Sequence, residues 1–136
     1  MADIIVIDDE IALAELFSAQ LSFAGHNVKE FSQSIKAIEY LRNLADLAKA
    51  DSGQKNAIPD IVITDVRMPK VSGLEICKLV RKNFPTTQLI VISGFAEDQS
   101  EFDTLQIEAR LKKPFQLEDL VKTVERLALA KQTTAA

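Results

Sequence analysis

The sequence predicts an α/β fold: a doubly wound, five-stranded parallel sheet with helices on both faces. Three observations carry this. Short β-branched runs at 4–7 (IIVI), 61–63 (IVI) and 89–92 (LIVI) are apolar throughout, as in strands buried on both faces, and are too short for helices. Segments with helical periodicity separate them, so the order reads βαβαβαβαβα. With 136 residues and 47% hydrophobic content, the chain suits one domain with its own core.

The first strand, IIVI, leads into IALAELFSAQLSFAG, where Ile11, Ala14, Phe17, Leu21 and Ala24 recur at helical spacing. Gly25 suits the left-handed residue that ends such a helix. NVKEF (27–31) reads as a weaker second strand. Ser32 or Ser34 can cap the next helix, which carries Ile35, Ile38, Leu41 and Leu44. ADSGQKNAIP (50–59) is the one long loop. The third strand then runs straight into Asp65. Ser72 with Glu75 marks a capping box before GLEICKLVRKNF, and Pro85 stops that helix. After LIVI, the segment GFAEDQSEFDTLQIEAR predicts a short or irregular fourth helix, and a weak strand lies around Ala109–Lys112. The last helix places Leu117, Leu120, Val121, Val124, Leu127 and Ala128 on one face. The domain is expected over residues 1–131, with 132–136 as a disordered tail.

Charge and composition narrow the function. A net charge of −4 and a pI near 5.0 leave no basic footprint for nucleic acid or an anionic membrane surface. No apolar run approaches the ~20 residues of a membrane span, and MADIIVIDDE lacks the pattern of a signal peptide. The single cysteine, Cys77, cannot form an internal disulfide, so a cytoplasmic, reducing setting is expected.

In open α/β sheets, ligands bind beyond the carboxyl ends of the strands, where strand order reverses. Asp8, Asp9 and Glu10 follow the first strand, Asp65 the third, Ser93 the fourth, and Lys113 with Pro114 the fifth. Ionised carboxylates brought together repel, so a proton or a cation must join them. Oxygen-only ligands suit Mg²⁺, and a carboxylate there can act as a nucleophile toward phosphorus. The new phosphoryl oxygens would find Ser93 and Lys113 as charge partners. A turn-capping Asp65, a solvated acidic face or a loop Ser93 accounts for each residue singly but not for the set.

With IVIDDE, ITDVRMPKVSG, VISG and KKPF in this order, the chain resembles a response-regulator receiver domain of two-component signalling over nearly its full length. The resemblance implies a flavodoxin-like (βα)5 sheet of order 2-1-3-4-5, with Asp65 as phosphoacceptor. It implies Mg²⁺ held by Asp8, Asp9, Asp65 and the Arg67 carbonyl, and a phosphoryl group bound by Ser93 and Lys113. A cis bond before Pro114 belongs to the same pattern. The implied donor is a sensor histidine kinase or phosphotransfer protein. The implied output is contact with a downstream protein, by a monomer or weak dimer that touches neither nucleic acid nor membrane directly. Transfer and slow self-dephosphorylation would be self-catalysed, in a switch rather than a metabolic enzyme. Arg67 and Phe95, two residues after the acceptor and the hydroxyl, flank the water path in the family and are expected to lengthen the phosphorylated state.

Two departures stand out. The family places an aromatic switch residue three before the lysine, whereas here Arg110 occupies it; the expectation is an outward Arg110 paired with Glu101 or Asp103. The 50–59 loop adds surface. These keep a second reading in view, a phosphorylation-independent pseudo-receiver, or a receiver segment of a larger regulator or hybrid kinase. A flavin binder is disfavoured because Asp8, Asp9 and Glu10 would repel its phosphate. A haloacid-dehalogenase-type phosphatase wants an Asp where Arg67 stands. Lys112 and Glu10 read as solvated, Cys77 as packing, Met68 as part of the turn, and His26 as a surface turn residue.

Overall fold

A computed structural model describes residues 1–50, 58–94 and 100–135. Five parallel strands, β1 (Asp3–Ile7), β2 (Asn27–Phe31), β3 (Ile61–Asp65), β4 (Gln88–Ser93) and β5 (Ala109–Lys112), form one sheet in the order β2-β1-β3-β4-β5. The reversal of strand order therefore falls between β1 and β3. β3 is buried along its whole length, which is why its sequence lacks polar alternation. β2 and β5 lie at the edges and carry the exposed positions that made them weak as sequence signals.

Alternate residues of the strands feed two cores. Ile5, Ile7, Val62 and Val91 face α2 (Ser34–Ala50) and α3 (Gly73–Asn83), against Leu41, Ile76, Val80 and Phe84. Ile4, Val6, Ile63 and Ile90 face α1 (Ile11–Phe23) and α5 (Leu117–Ala135), against Phe17, Leu21, Leu120 and Val124. Cys77 lies wholly in the first core, and burial pushes its thiol up to about 12, so it stays a packing residue.

The helix ends follow the sequence signals with two exceptions. Gly25 adopts φ 101 after α1, and the Ser72 hydroxyl accepts the Glu75 N–H at 3.3 Å at the start of α3. α4 is a single turn, Ser100–Asp103. Ser34 does not cap α2 but is its first residue, and its hydroxyl bonds to another segment. His26 is not the surface turn residue expected. It is buried, its Nδ1 accepts the Ala2 N–H at 3.0 Å, and its Nε2 donates to Glu125 Oε1 at 3.0 Å. α5 runs past Lys131 to Ala135, with no Gly or Pro there to stop it. Among the described residues no helix is long and apolar enough to cross a membrane.

A second long-range staple involves Arg81 of α3. Its guanidinium donates to the carbonyls of Leu105, Pro85, Thr87 and Gln106 and pairs with Glu108 at 2.8 Å. Glu108 in turn accepts the Leu89 N–H. This ties the C-terminal end of α3 to the starts of β4 and β5, at the edge of the sheet away from the strand-end carboxylates.

Candidate functional site

The strand ends converge as the sequence order requires. β1 and β3 are neighbours, so Asp8, one residue past β1, meets Asp65, the last residue of β3. β5 reaches across β4, placing Lys113 one residue beyond the pair Ser93–Lys112. The result is a cleft of about 230 Å³ lined by Asp9, Glu10, Asp65, Val66, Arg67, Ser93, Gly94 and Lys113.

Asp8 and Asp65 are 1% and 7% exposed, while Asp9 is more open. One oxygen of each of the three carboxylates lies within 4.8 Å of the others. Asp8 Oδ1 accepts the Glu10 N–H at 2.9 Å, and Asp65 Oδ1 accepts the Val66 N–H at 2.8 Å. Lys113 Nζ stands 3.3 Å from Asp65 Oδ2, 3.7 Å from Asp8 Oδ2 and 3.9 Å from Glu10 Oε1. Glu10 is exposed, as expected of a solvated residue, and its carboxylate also approaches the lysine. The Lys113–Pro114 bond is cis.

These contacts leave the charges unbalanced. Burial pushes the Asp8 carboxyl above its ordinary range; the Glu10 N–H and Lys113 offset only part of this, and Asp65 and Asp9 push it further. Burial likewise raises Asp65, against the pull of Lys113 and the Val66 N–H. Burial lowers Lys113, but Asp65, Asp8 and Glu10 outweigh that and hold it above its ordinary value. Lys113 is thus shared by three acids, Asp65, Asp8 and Glu10.

The donor set fits a hard divalent cation. Asp8 Oδ2 is buried and has no hydrogen-bond partner among the described residues, a costly state for an ionised oxygen. With Asp9 and Asp65 it forms an all-oxygen group, the chemistry Mg²⁺ prefers over the nitrogen and sulfur ligands of zinc. His26 and Cys77 are committed elsewhere.

Other expected residues are placed as follows. Ser93 ends β4 in the cleft wall, and its carbonyl accepts the Lys113 N–H at 2.8 Å. Arg67 lines the cleft and is exposed. Phe95 and residues 51–57 lie outside the described residues. Arg110 points away from the site: its Nη2 pairs with Asp103 Oδ1 at 2.9 Å, and its guanidinium lies 5.9 Å from the Phe102 ring centre.

Two residues escaped the sequence reading. Gly73 opens α3 directly beneath the acceptor: its N–H donates to the Val66 carbonyl at 2.8 Å, and an added Cβ would overlap the Asp65 carbonyl oxygen. Its place eight residues after Asp65, at a helix start, is the signal that could have found it. Ser34 binds the turn at Pro69–Val71 from α2, and no local pattern marks that role.

Comparison with known proteins agrees with this geometry. The model of the response regulator receiver domain family matches residues 4–125. The alkaline phosphatase synthesis transcriptional regulatory protein SphR of Synechococcus elongatus is 29% identical over 135 residues, covering 98% of this chain and 51% of that protein. The sensor kinase CckA of Brucella abortus is 31% identical over 129 residues, covering 93% of this chain and 12% of that protein. The solved structure of chemotaxis response regulator CheY4 of Vibrio cholerae superposes with a TM-score of 0.72 at 30% identity, covering 93% of this chain and 98% of that one. The chain spans about half the length of SphR and a small part of CckA. A match reaching from the first strand into the last helix leaves one assignment: this chain belongs to the response regulator receiver domain family.

Proposed function

We propose that this receiver domain takes a phosphoryl group onto Asp65 from the phosphohistidine of a sensor histidine kinase or phosphotransfer protein, in a Mg²⁺-dependent reaction. The observation that carries the reading is Asp8 Oδ2, buried beside Asp65 with no hydrogen-bond partner among the described residues and Lys113 only at 3.7 Å. A chain that used this fold only for protein contact would gain nothing from burying that oxygen without a hydrogen bond.

Asp8, Asp9, Asp65 and the Arg67 carbonyl would hold Mg²⁺, which when bound supplies positive charge to the phosphoryl oxygens. An Asp65 carboxylate oxygen attacks phosphorus and forms the O–P bond of an acyl phosphate. The P–N bond breaks, its electron pair goes to the imidazole nitrogen, and the donor ends as a neutral ring with a proton on its other nitrogen. Lys113, now paired with Asp65 Oδ2 at 3.3 Å, turns to the phosphoryl oxygens, and the Ser93 hydroxyl donates to one of them. Output then passes through protein contacts.

Arg110, fastened outward where the family has an aromatic residue, is the observation that favours the second reading, an interaction module used without phosphorylation. Intact-mass measurement after incubation with acetyl phosphate separates the two. One added phosphoryl mass, requiring Mg²⁺ and lost in Asp65→Asn, is the expected result. No adduct on the native chain, or the same adduct on Asp65→Asn, rejects the assignment.

A further inference from the structure

The segment after the acceptor, Arg67–Ser72, is a loop closed at its base by the Gly73 N–H on the Val66 carbonyl at 2.8 Å. Its tip is a γ-turn: the Val71 N–H donates to the Pro69 carbonyl at 2.8 Å across Lys70, whose φ is 71. A positive φ in a three-residue turn is a rare, strained arrangement for a residue with a side chain, and it persists only where the surroundings hold it.

Here the surroundings include Ser34. Its hydroxyl donates to the Pro69 carbonyl at 2.6 Å and accepts the Val71 N–H at 3.2 Å, so one side chain engages both ends of the turn. Ser34 is itself buried and is the first residue of α2, some 35 residues away along the chain. The bond therefore joins a rigid helix to the loop that starts at Arg67. Asp9 lines the gap between the two, together with Ser32, Gln33, Pro69 and Lys70.

We propose that Ser34 is a positioning residue for the acceptor site: by clamping the Pro69–Val71 turn it fixes the backbone from Arg67 onward, and with it the carbonyl offered to the cation. This rests on the Mg²⁺-dependent reading above. Ser34 touches no reacting atom. It acts through the loop, which is held at its base by Gly73 and at its tip by this hydroxyl. Removing the hydroxyl leaves the turn with its own short hydrogen bond and its strain, so the loop relaxes while the sheet stays intact.

The test compares native chain, Ser34→Ala and Ser34→Thr by two measurements. Amide hydrogen exchange reads the turn without metal: Val71 should exchange about fivefold to tenfold faster in Ser34→Ala, the effect of one lost hydrogen bond, while Ile63 and Val91 in the central strands keep native rates. Titration with Mg²⁺ alone, followed by chemical shifts of the cleft residues, should show a dissociation constant raised by a similar factor in Ser34→Ala. Ser34→Thr, which keeps the hydroxyl, should restore both. Native Val71 exchange and native Mg²⁺ affinity in Ser34→Ala overturn the inference and leave the functional reading untouched. Uniformly faster exchange across the sheet also overturns it, since that marks a general stability role. A native chain that binds no Mg²⁺ removes the functional reading, and this inference with it.

Discussion

Asp8→Asn should make the metal-free chain more stable, although it breaks an ion pair. At an effective dielectric constant of ~20, attraction to Lys113 Nζ at 3.7 Å is about 4–5 kcal/mol, and repulsion across 4.8 Å is about 3–4 kcal/mol for each neighbouring carboxylate. Two repulsions exceed one attraction by roughly 2 kcal/mol, and the exposure of Asp9 screens part of its share. Desolvation of a side chain only 1% exposed adds to the same side. Asn keeps an oxygen for the Glu10 N–H, so the variant should gain about 1–2 kcal/mol, or roughly 3–8 °C in melting temperature for a domain of this size. Mg²⁺ should reverse the order. Stabilisation by binding reaches about 1.4 kcal/mol at roughly ten times the dissociation constant, and above that the native chain should melt higher. Acid should shrink the gap as well. Because the folded chain holds its protons on Asp8 and Asp65 more tightly than the unfolded chain does, their ionisation penalty is relieved as pH falls from 7 toward about 3.9. Differential scanning fluorimetry across pH and Mg²⁺ reads all three arms. A lower melting temperature for Asp8→Asn without Mg²⁺, or a native chain indifferent to Mg²⁺, contradicts the reasoning.

Two further outcomes can be read directly. In Gly73→Ala the new Cβ meets the Asp65 carbonyl oxygen and, at 2.9 Å, the Val66 Cα, both backbone atoms that cannot rotate aside. Urea denaturation should show a loss of about 1–3 kcal/mol, and phosphorylation by acetyl phosphate should slow about tenfold or more as the acceptor shifts; native values for both would show that the strand end yields freely. Arg110, held by Asp103 and lying over Phe102, should stay outward when beryllofluoride mimics the phosphoryl group, since burying a guanidinium costs several kcal/mol. Exchange at the Arg110 and Leu111 amides should change little, and an inward Arg110 in a structure with the mimic would refute this.

What the sequence makes legible here has a physical boundary. The strand-end residues can be read because a buried strand written as IVITD announces both its burial and the point where its chain emerges. Once the βα order implies a parallel sheet, every strand exits at the same edge, so Asp8, Asp65, Ser93 and Lys113 must gather without any knowledge of packing. The residues that escaped act across the sheet or between layers. His26 looks like a turn residue because its partners, Ala2 and Glu125, are 24 and 99 positions away. Arg81 sits in the last turn of α3, where a basic residue is expected on helix-dipole grounds, and nothing local reveals that it holds four carbonyls and Glu108. Ser34 is a still sharper case. Its position before an apolar helical run matches a cap so well that the local rule supplies a sufficient but wrong explanation. Its hydroxyl satisfies a neighbouring turn instead, because α2 begins one residue earlier, with Lys36 and Ala37 donating to the Gln33 carbonyl. Local patterns thus locate groups that must lie at an edge, whereas groups that bind another segment's backbone are fixed by interlayer packing. In this chain the first kind supplies the proposed chemistry, and the second holds the loop on which that chemistry depends.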